Sequence, residues 1–217
     1  MPKRELPEIR IKDAWLFRES VSVPLNELWG DGEPLRSDNE YAAITKAYQK
    51  AWQPYEQKIL AAMTDLLELQ FRQNIIDVYI APWIIAFSDP LVIGVMQKPD
   101  VFVDTLTHEL IHRLLTDNTT VPHELFLLPE WEKLFSNSHT FNTLVHIPVH
   151  AVHKAICFEV LHEPKRIERD IKSCKDNKAS DYVAAWDYVE KHDFKGIINK
   201  LKLSYNELAS HSKTNYT

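Results

Sequence analysis

The sequence predicts an α+β fold, and three observations carry that prediction. Apolar residues recur at three- and four-residue spacing through one long N-terminal segment. Two short β-branched runs follow it, and from there to the C-terminus the periodicity is again helical. The resulting order is helix, strand, strand, helix, loop, helix, helix, without the strand–helix–strand alternation of an α/β sheet. One domain over 1–217 is expected, with 1–38 an N-terminal extended segment and 204–217 a frayed tail.

Each element has a local reason. Residues 11–29 hold the apolar runs Ala14–Phe17 and Val21–Val23, broken by Pro24, which predict one or two short strands or an extended arm. Asp31, Gly32, Pro34, Ser37, Asp38 and Asn39 form a turn-rich loop, and Ser37 or Asp38 is placed to cap the next helix. That helix covers about 40–72. Ile44, Ala47, Tyr48, Ala51, Trp52, Tyr55, Ile59, Ala62, Met63, Leu66 and Leu67 make one apolar stripe, and Pro54 kinks or splits it. Ile75–Ile80 predicts a strand, Ser88–Pro90 a turn and Leu91–Val95 a second strand. A strong helix runs from about Val101 to Thr116. Residues 118–140 are expected to be irregular, with one short helical turn at Pro129–Leu134. Thr143–Ile147 reads as a short strand or a lead-in, because Pro148 fits the first turn of a helix that reaches His162. A polar loop at 172–180, a helix at Asp181–Lys191 and a last helix at Ile197–Leu201 complete the chain.

Composition excludes several classes. The 217 residues are 45% hydrophobic and 26% charged, ordinary values for a globular chain. A net charge of −6 lacks the basic excess of nucleic-acid binders, so no nucleic-acid partner is expected. The four glycines assemble no phosphate-cradling loop. The start, Met1–Glu8, has no apolar signal region, and Ile75–Phe87, interrupted by Asp77 and Pro82, is too short to span a bilayer. Cys157 and Cys174 predict thiols in a reducing compartment, hence a cytoplasmic protein with no membrane contact.

The chemistry sits in Thr107–Leu115, which contains His108-Glu109-x-x-His112 inside the strongest helix. Four residues make about one helical turn, so both imidazoles project from one face and reach one Zn²⁺. Glu109 is offset by one residue, beside the metal rather than on it, where a carboxylate takes a proton from metal-bound water. A catalytic zinc needs a third protein ligand. His146, His150 and His153 share one face of the downstream helix. If Pro148 starts that helix, His150 is central and ranks first, His146 next and His153 after it. Glu159 is the remaining alternative, more than two turns along. Glu124, Glu130, Glu132, His123 and His139 lie in the intervening loop and are weaker. Asp104 stands one turn before His108, as a hydrogen-bond partner for a ligand or as a charge favoured by the helix dipole.

At His108–His112 the chain resembles the zincin metallopeptidases, and over roughly 75–162 its order of elements is similar to their small gluzincin-type domains. The resemblance implies a zinc-dependent peptidase acting on a peptide or protein substrate, with Glu109 as general base. It also implies that Leu91–Val95 is an edge strand on which an extended substrate pairs. A gluzincin supplies Glu as third ligand, whereas this chain offers a histidine cluster; Gly and His of the metzincin pattern are replaced by Leu115 and Asn118. Tyr182 and Tyr188 are candidates for stabilising an oxyanion. The competing readings are a catalytically inactive zincin-like scaffold and a metal-dependent hydrolase of a non-peptide amide or ester.

Overall fold

The computed structural model describes residues 6–16, 18–20, 36–82, 86–95, 97–118, 128–136 and 138–214. Its contacts divide the chain into two compact units, one formed by 1–57 and 73–113, the other by 58–72 and 114–217. Together they carry a mixed α+β content. Among the described residues no helix is long and apolar enough to cross a membrane.

The first unit is built on a small sheet. Its strands are β1 (Glu8–Asp13), β2 (Ile75–Ala81), β3 (Phe87–Ser88) and β4 (Leu91–Gly94), in the order β1-β2-β4-β3. The run EIRIKD alternates, so Ile9 and Ile11 are buried while the charged residues between them face outward. β1 pairs with β2 in parallel, with Ile9 opposite Ile76 and Ile11 opposite Val78. β4 pairs with β2 in parallel through Tyr79 opposite Val92, and with β3 antiparallel through Phe87 opposite Val92. β4 is therefore not the edge strand that the resemblance implies. The Asp89–Pro90 turn folds Phe87–Ser88 back onto it, and all four of its residues are buried, as in a strand with neighbours on both sides. β1 also begins earlier than the apolar runs suggest. Residues 15, 16 and 18–20 are helical instead of extended, and Val21–Val23 lie outside the described residues.

The long N-terminal helix is split at Pro54. Helix α1 spans Asp38–Trp52 and α2 spans Glu56–Leu67, because a proline has no N–H to continue the ladder. Ser37 caps α1: its side chain accepts from the Glu40 N–H while the Glu40 carboxylate accepts from the Ser37 N–H. Tyr41, Thr45, Tyr48 and Trp52 form its buried stripe. The Gln49 amide donates to the Ile11 carbonyl at 2.9 Å, and the Ile9 N–H donates to the Glu56 carboxylate at 3.5 Å. Helix α3 spans Pro99–Asp117, and its first fifteen residues belong to this unit.

The second unit is helical, with α4 (Leu128–Phe135), α5 (Phe141–Ala155), a π-turn (Ile156–Val160), α6 (Lys165–Asp176), α7 (Ser180–His192) and α8 (Phe194–Thr214). Helix α5 packs against α4, α7 and α8 and buries residues around its whole circumference. It starts seven residues before Pro148, with Thr140 accepting from the Thr143 N–H at 3.2 Å. Burial on all sides outweighs the ladder bond that Pro148 cannot make, about 3 kcal/mol at an exposed site. Two polar stretches are helical against expectation. In α6, Arg166, Ile167 and Cys174 turn inward and the charges outward, so most of the expected 172–180 loop is helix. In α8, Ile197, Ile198, Leu201 and Tyr205 are buried, and the Tyr205 hydroxyl donates to the Leu115 carbonyl at 2.9 Å. The segment from 204 is thus ordered helix through Thr214 rather than a frayed tail.

Candidate metal centre

Helix α3 is buried along most of its surface, with Phe102, Val103, Leu106, Leu110, Ile111, Leu114 and Leu115 all inside. The less buried stripe runs through residues 101, 105, 108, 112 and 116, at helical spacing. His108 and His112 lie on that stripe, with ring centroids 4.8 Å apart and Nε2 atoms 3.1 Å apart. Two ligands of a tetrahedral ion held at about 2.0–2.1 Å stand roughly 3.3 Å apart, so the spacing of this pair is that of two imidazoles able to share a zinc.

Glu109 sits beside the pair and is 7% exposed. Burial pushes its carboxyl up to about 8. Asp104, one turn earlier, is also buried.

The helix is fastened at both ends within its own unit. The Tyr48 hydroxyl reaches the carbonyls of Gln97 at 2.8 Å and Gly94 at 3.3 Å, and its ring stacks on Phe102 at 4.0 Å. Arg113 donates to the Ser88 carbonyl at 2.9 Å and pairs with the Asp89 carboxylate at 2.7 Å. The Arg113 ties fasten the helix that carries His108 and His112 to the strand–turn segment that precedes it.

The second unit carries the histidine face of α5. His146, His150 and His153 are 6%, 0% and 2% exposed. Because the helix begins at Phe141, His146 lies inside it rather than ahead of it. The Nδ1–H of His146 donates to the Asn142 carbonyl at 2.6 Å, which leaves Nε2 as the nitrogen with a lone pair. Burial holds the imidazole below its ordinary pKa, so the neutral, ligating form prevails. Its ring lies 4.0 Å from that of Tyr182. His150 is stacked on Trp186 at 4.1 Å with the planes 11° apart.

The other candidates are engaged elsewhere or lie outside the described residues. Glu159 is on the π-turn, its carboxylate exposed and paired with Lys195 at 2.6 Å. His139 rests edge-on against Tyr188 at 5.5 Å. Glu132 is half-buried on α4, and of the Glu130 side chain nothing is described. His123 and Glu124 fall outside the described residues.

The helix that bears His146 and His150 starts at Phe141 rather than at Pro148, with Thr140 as its cap. The Asn142 carbonyl, which orients the His146 imidazole, leaves no mark in the sequence. No family model matches the chain, and neither a curated protein nor a solved structure matches it.

Proposed function

We propose that the protein is a zinc-dependent hydrolase, and within that class a metallopeptidase, with His108 and His112 as ligands and Glu109 as general base. The observation that carries the proposal is the imidazole pair with Nε2 atoms 3.1 Å apart, together with the buried carboxyl of Glu109, the residue after His108. Within the second unit, the His146 Nδ1–H is bonded to the Asn142 carbonyl, so Nε2 is the nitrogen that a metal would take. Glu159, paired with Lys195, is the least suited of the alternatives.

Zinc, when bound, supplies a Lewis acid for the scissile carbonyl and makes its water acidic near neutral pH. Glu109 accepts a proton from the attacking water and passes it to the leaving nitrogen. A structural metal site has no use for a buried carboxyl next to two ligands, which favours catalysis over an inactive scaffold. Hydrolysis of a non-peptide amide or ester uses the same proton transfers, and the substrate panel separates it from peptide cleavage. Two buried free cysteines are in keeping with a reducing, cytoplasmic setting.

The test joins metal content with activity. Elemental analysis of purified protein should find close to one zinc per chain, and a panel of peptides, small amides and esters should yield a cleaved substrate. His108→Ala and His112→Ala should lose both. Protein that holds no transition metal after zinc is supplied would overturn the proposal.

A further inference from the structure

Helix α7 has two kinds of face. Ala185, Trp186 and Val189 are buried in the core of the second unit. Asp187, Tyr188, Lys191 and His192 recur at three- and four-residue spacing on another side. That side and the end of α4, with the turn after it, enclose a cleft of about 660 Å³ that lies entirely within the second unit. The volume falls in the range of small-molecule sites. The chain as a whole is acidic, with 25 Lys and Arg against 31 Asp and Glu. The cleft reverses that balance: Lys133, His139, Lys191 and His192 line it, with Asp187 as the one carboxylate among them. Glu190, next along α7, is paired with Lys154 at 2.5 Å and does not neutralise it.

The imidazoles are arranged around one phenol ring. His192 stacks on Tyr188 at 4.1 Å with the planes 27° apart, and His139 meets the same ring edge-on at 5.5 Å. Phe135 packs against Tyr188 at 5.9 Å and is itself buried. Among the described residues neither imidazole has a hydrogen-bond partner, so both rings are held by contact and keep their N–H groups for a ligand.

We propose that the cleft between α4 and α7 binds a small organic phosphate. The Lys133 and Lys191 ammonium groups and the imidazole N–H donors take the phosphoryl oxygens, and the Tyr188–Phe135 ring pair meets the organic body. A phosphate monoester matches this donor set better than a monocarboxylate does, because it brings three acceptor oxygens and close to two negative charges. The cleft is also many times larger than inorganic phosphate, which would leave the ring pair without a contact. The site shares no residue with the zinc reading and stands whether or not that reading holds.

The experiment titrates full-length protein with phenyl phosphate, inorganic phosphate and benzyl alcohol by calorimetry at low ionic strength. Phenyl phosphate should bind one per chain, inorganic phosphate more weakly, and the neutral alcohol not at all. Lys133→Gln combined with Lys191→Gln should weaken phenyl phosphate about 10-fold. Asp187→Asn removes the opposing charge and should tighten it about 3-fold. Lys172→Gln takes an exposed lysine of α6 that is paired with Asp176, so it controls for loss of a positive charge elsewhere and should bind like the parent. All these positions are exposed, and melting temperatures near that of the parent confirm that the variants are folded. Absence of phenyl phosphate binding at millimolar concentration would overturn the inference. So would an affinity that is the same in the parent, the double variant and Asp187→Asn. Inorganic phosphate bound as tightly as phenyl phosphate would overturn the assignment of an organic ligand.

Discussion

Replacing Glu109 by glutamine should make the metal-free protein more stable, and increasingly so as pH rises. In the metal-free fold the Glu109 carboxyl is pushed up to about 8 from an ordinary 4.5, because burial penalises its charged form. Below pH 4.5 folded and unfolded chains both hold the proton, and the group contributes its full share. Between 4.5 and about 8 the unfolded chain has released a proton that the folded chain retains, so stability falls as pH rises. Each pH unit in that window is worth about 1.4 kcal/mol, which makes the whole effect roughly 5 kcal/mol. Glutamine has nearly the same shape and no proton to lose. The assay is urea unfolding of parent and Glu109→Gln with chelator present, at pH 5, 6, 7 and 8. Other groups titrate alike in both proteins and cancel in the difference. That difference should grow by about 3 kcal/mol from pH 5 to pH 7, or about 1 M in urea midpoint. Saturating zinc should flatten the parent curve, since a carboxylate beside a dication ionises readily. Parallel curves for the two metal-free proteins would refute the reasoning and leave Glu109 without the environment that a buried base requires.

Three further outcomes are expected. His146→Ala should surrender zinc at chelator concentrations that leave Glu159→Ala loaded; release from Glu159→Ala alone would place the third ligand on the π-turn. Burial pushes the Cys174 thiol up to about 12, and Cys157 is 1% exposed, so a thiol reagent at pH 8 should modify neither in the native protein and both in guanidine. Tyr205→Phe leaves the buried Leu115 carbonyl without its donor and should cost about 1–3 kcal/mol, read as a melting temperature lower by roughly 2–10 °C; no change would mean that the last helix is not docked.

The motif helix was legible because its chemistry and its geometry share one period: His108 and His112 are four apart, and so is a helical turn. Pro54 announced the break between α1 and α2 in the same direct way. The remaining differences arise where a neighbour distant in sequence decides. Nothing in Leu91–Val95 discloses that Phe87–Ser88 will fold back beside it, since a two-residue strand has too little pattern to read. Pro148 argues locally for a helix start, and only the helices around α5 make the opposite arrangement favourable. The polar composition of 172–180 and of 204–214 hides inward-facing Cys174 and Tyr205, each one residue in a charged stretch.

The tie of Gln49 and Glu56 to β1 has a consequence for how this protein behaves in company. Among the described residues, β2 is the sole strand beside β1, and an incoming strand on the other margin would use the Ile9 N–H and the Ile11 carbonyl. Both are already bonded to side chains, so a foreign segment must displace Glu56 and Gln49 to pair there. The sheet thus has a stopper at this margin that resists an added strand, and it holds only while α1, which carries Gln49, and the start of α2, which carries Glu56, remain folded. Partial unfolding there, well short of global denaturation, would uncork the edge.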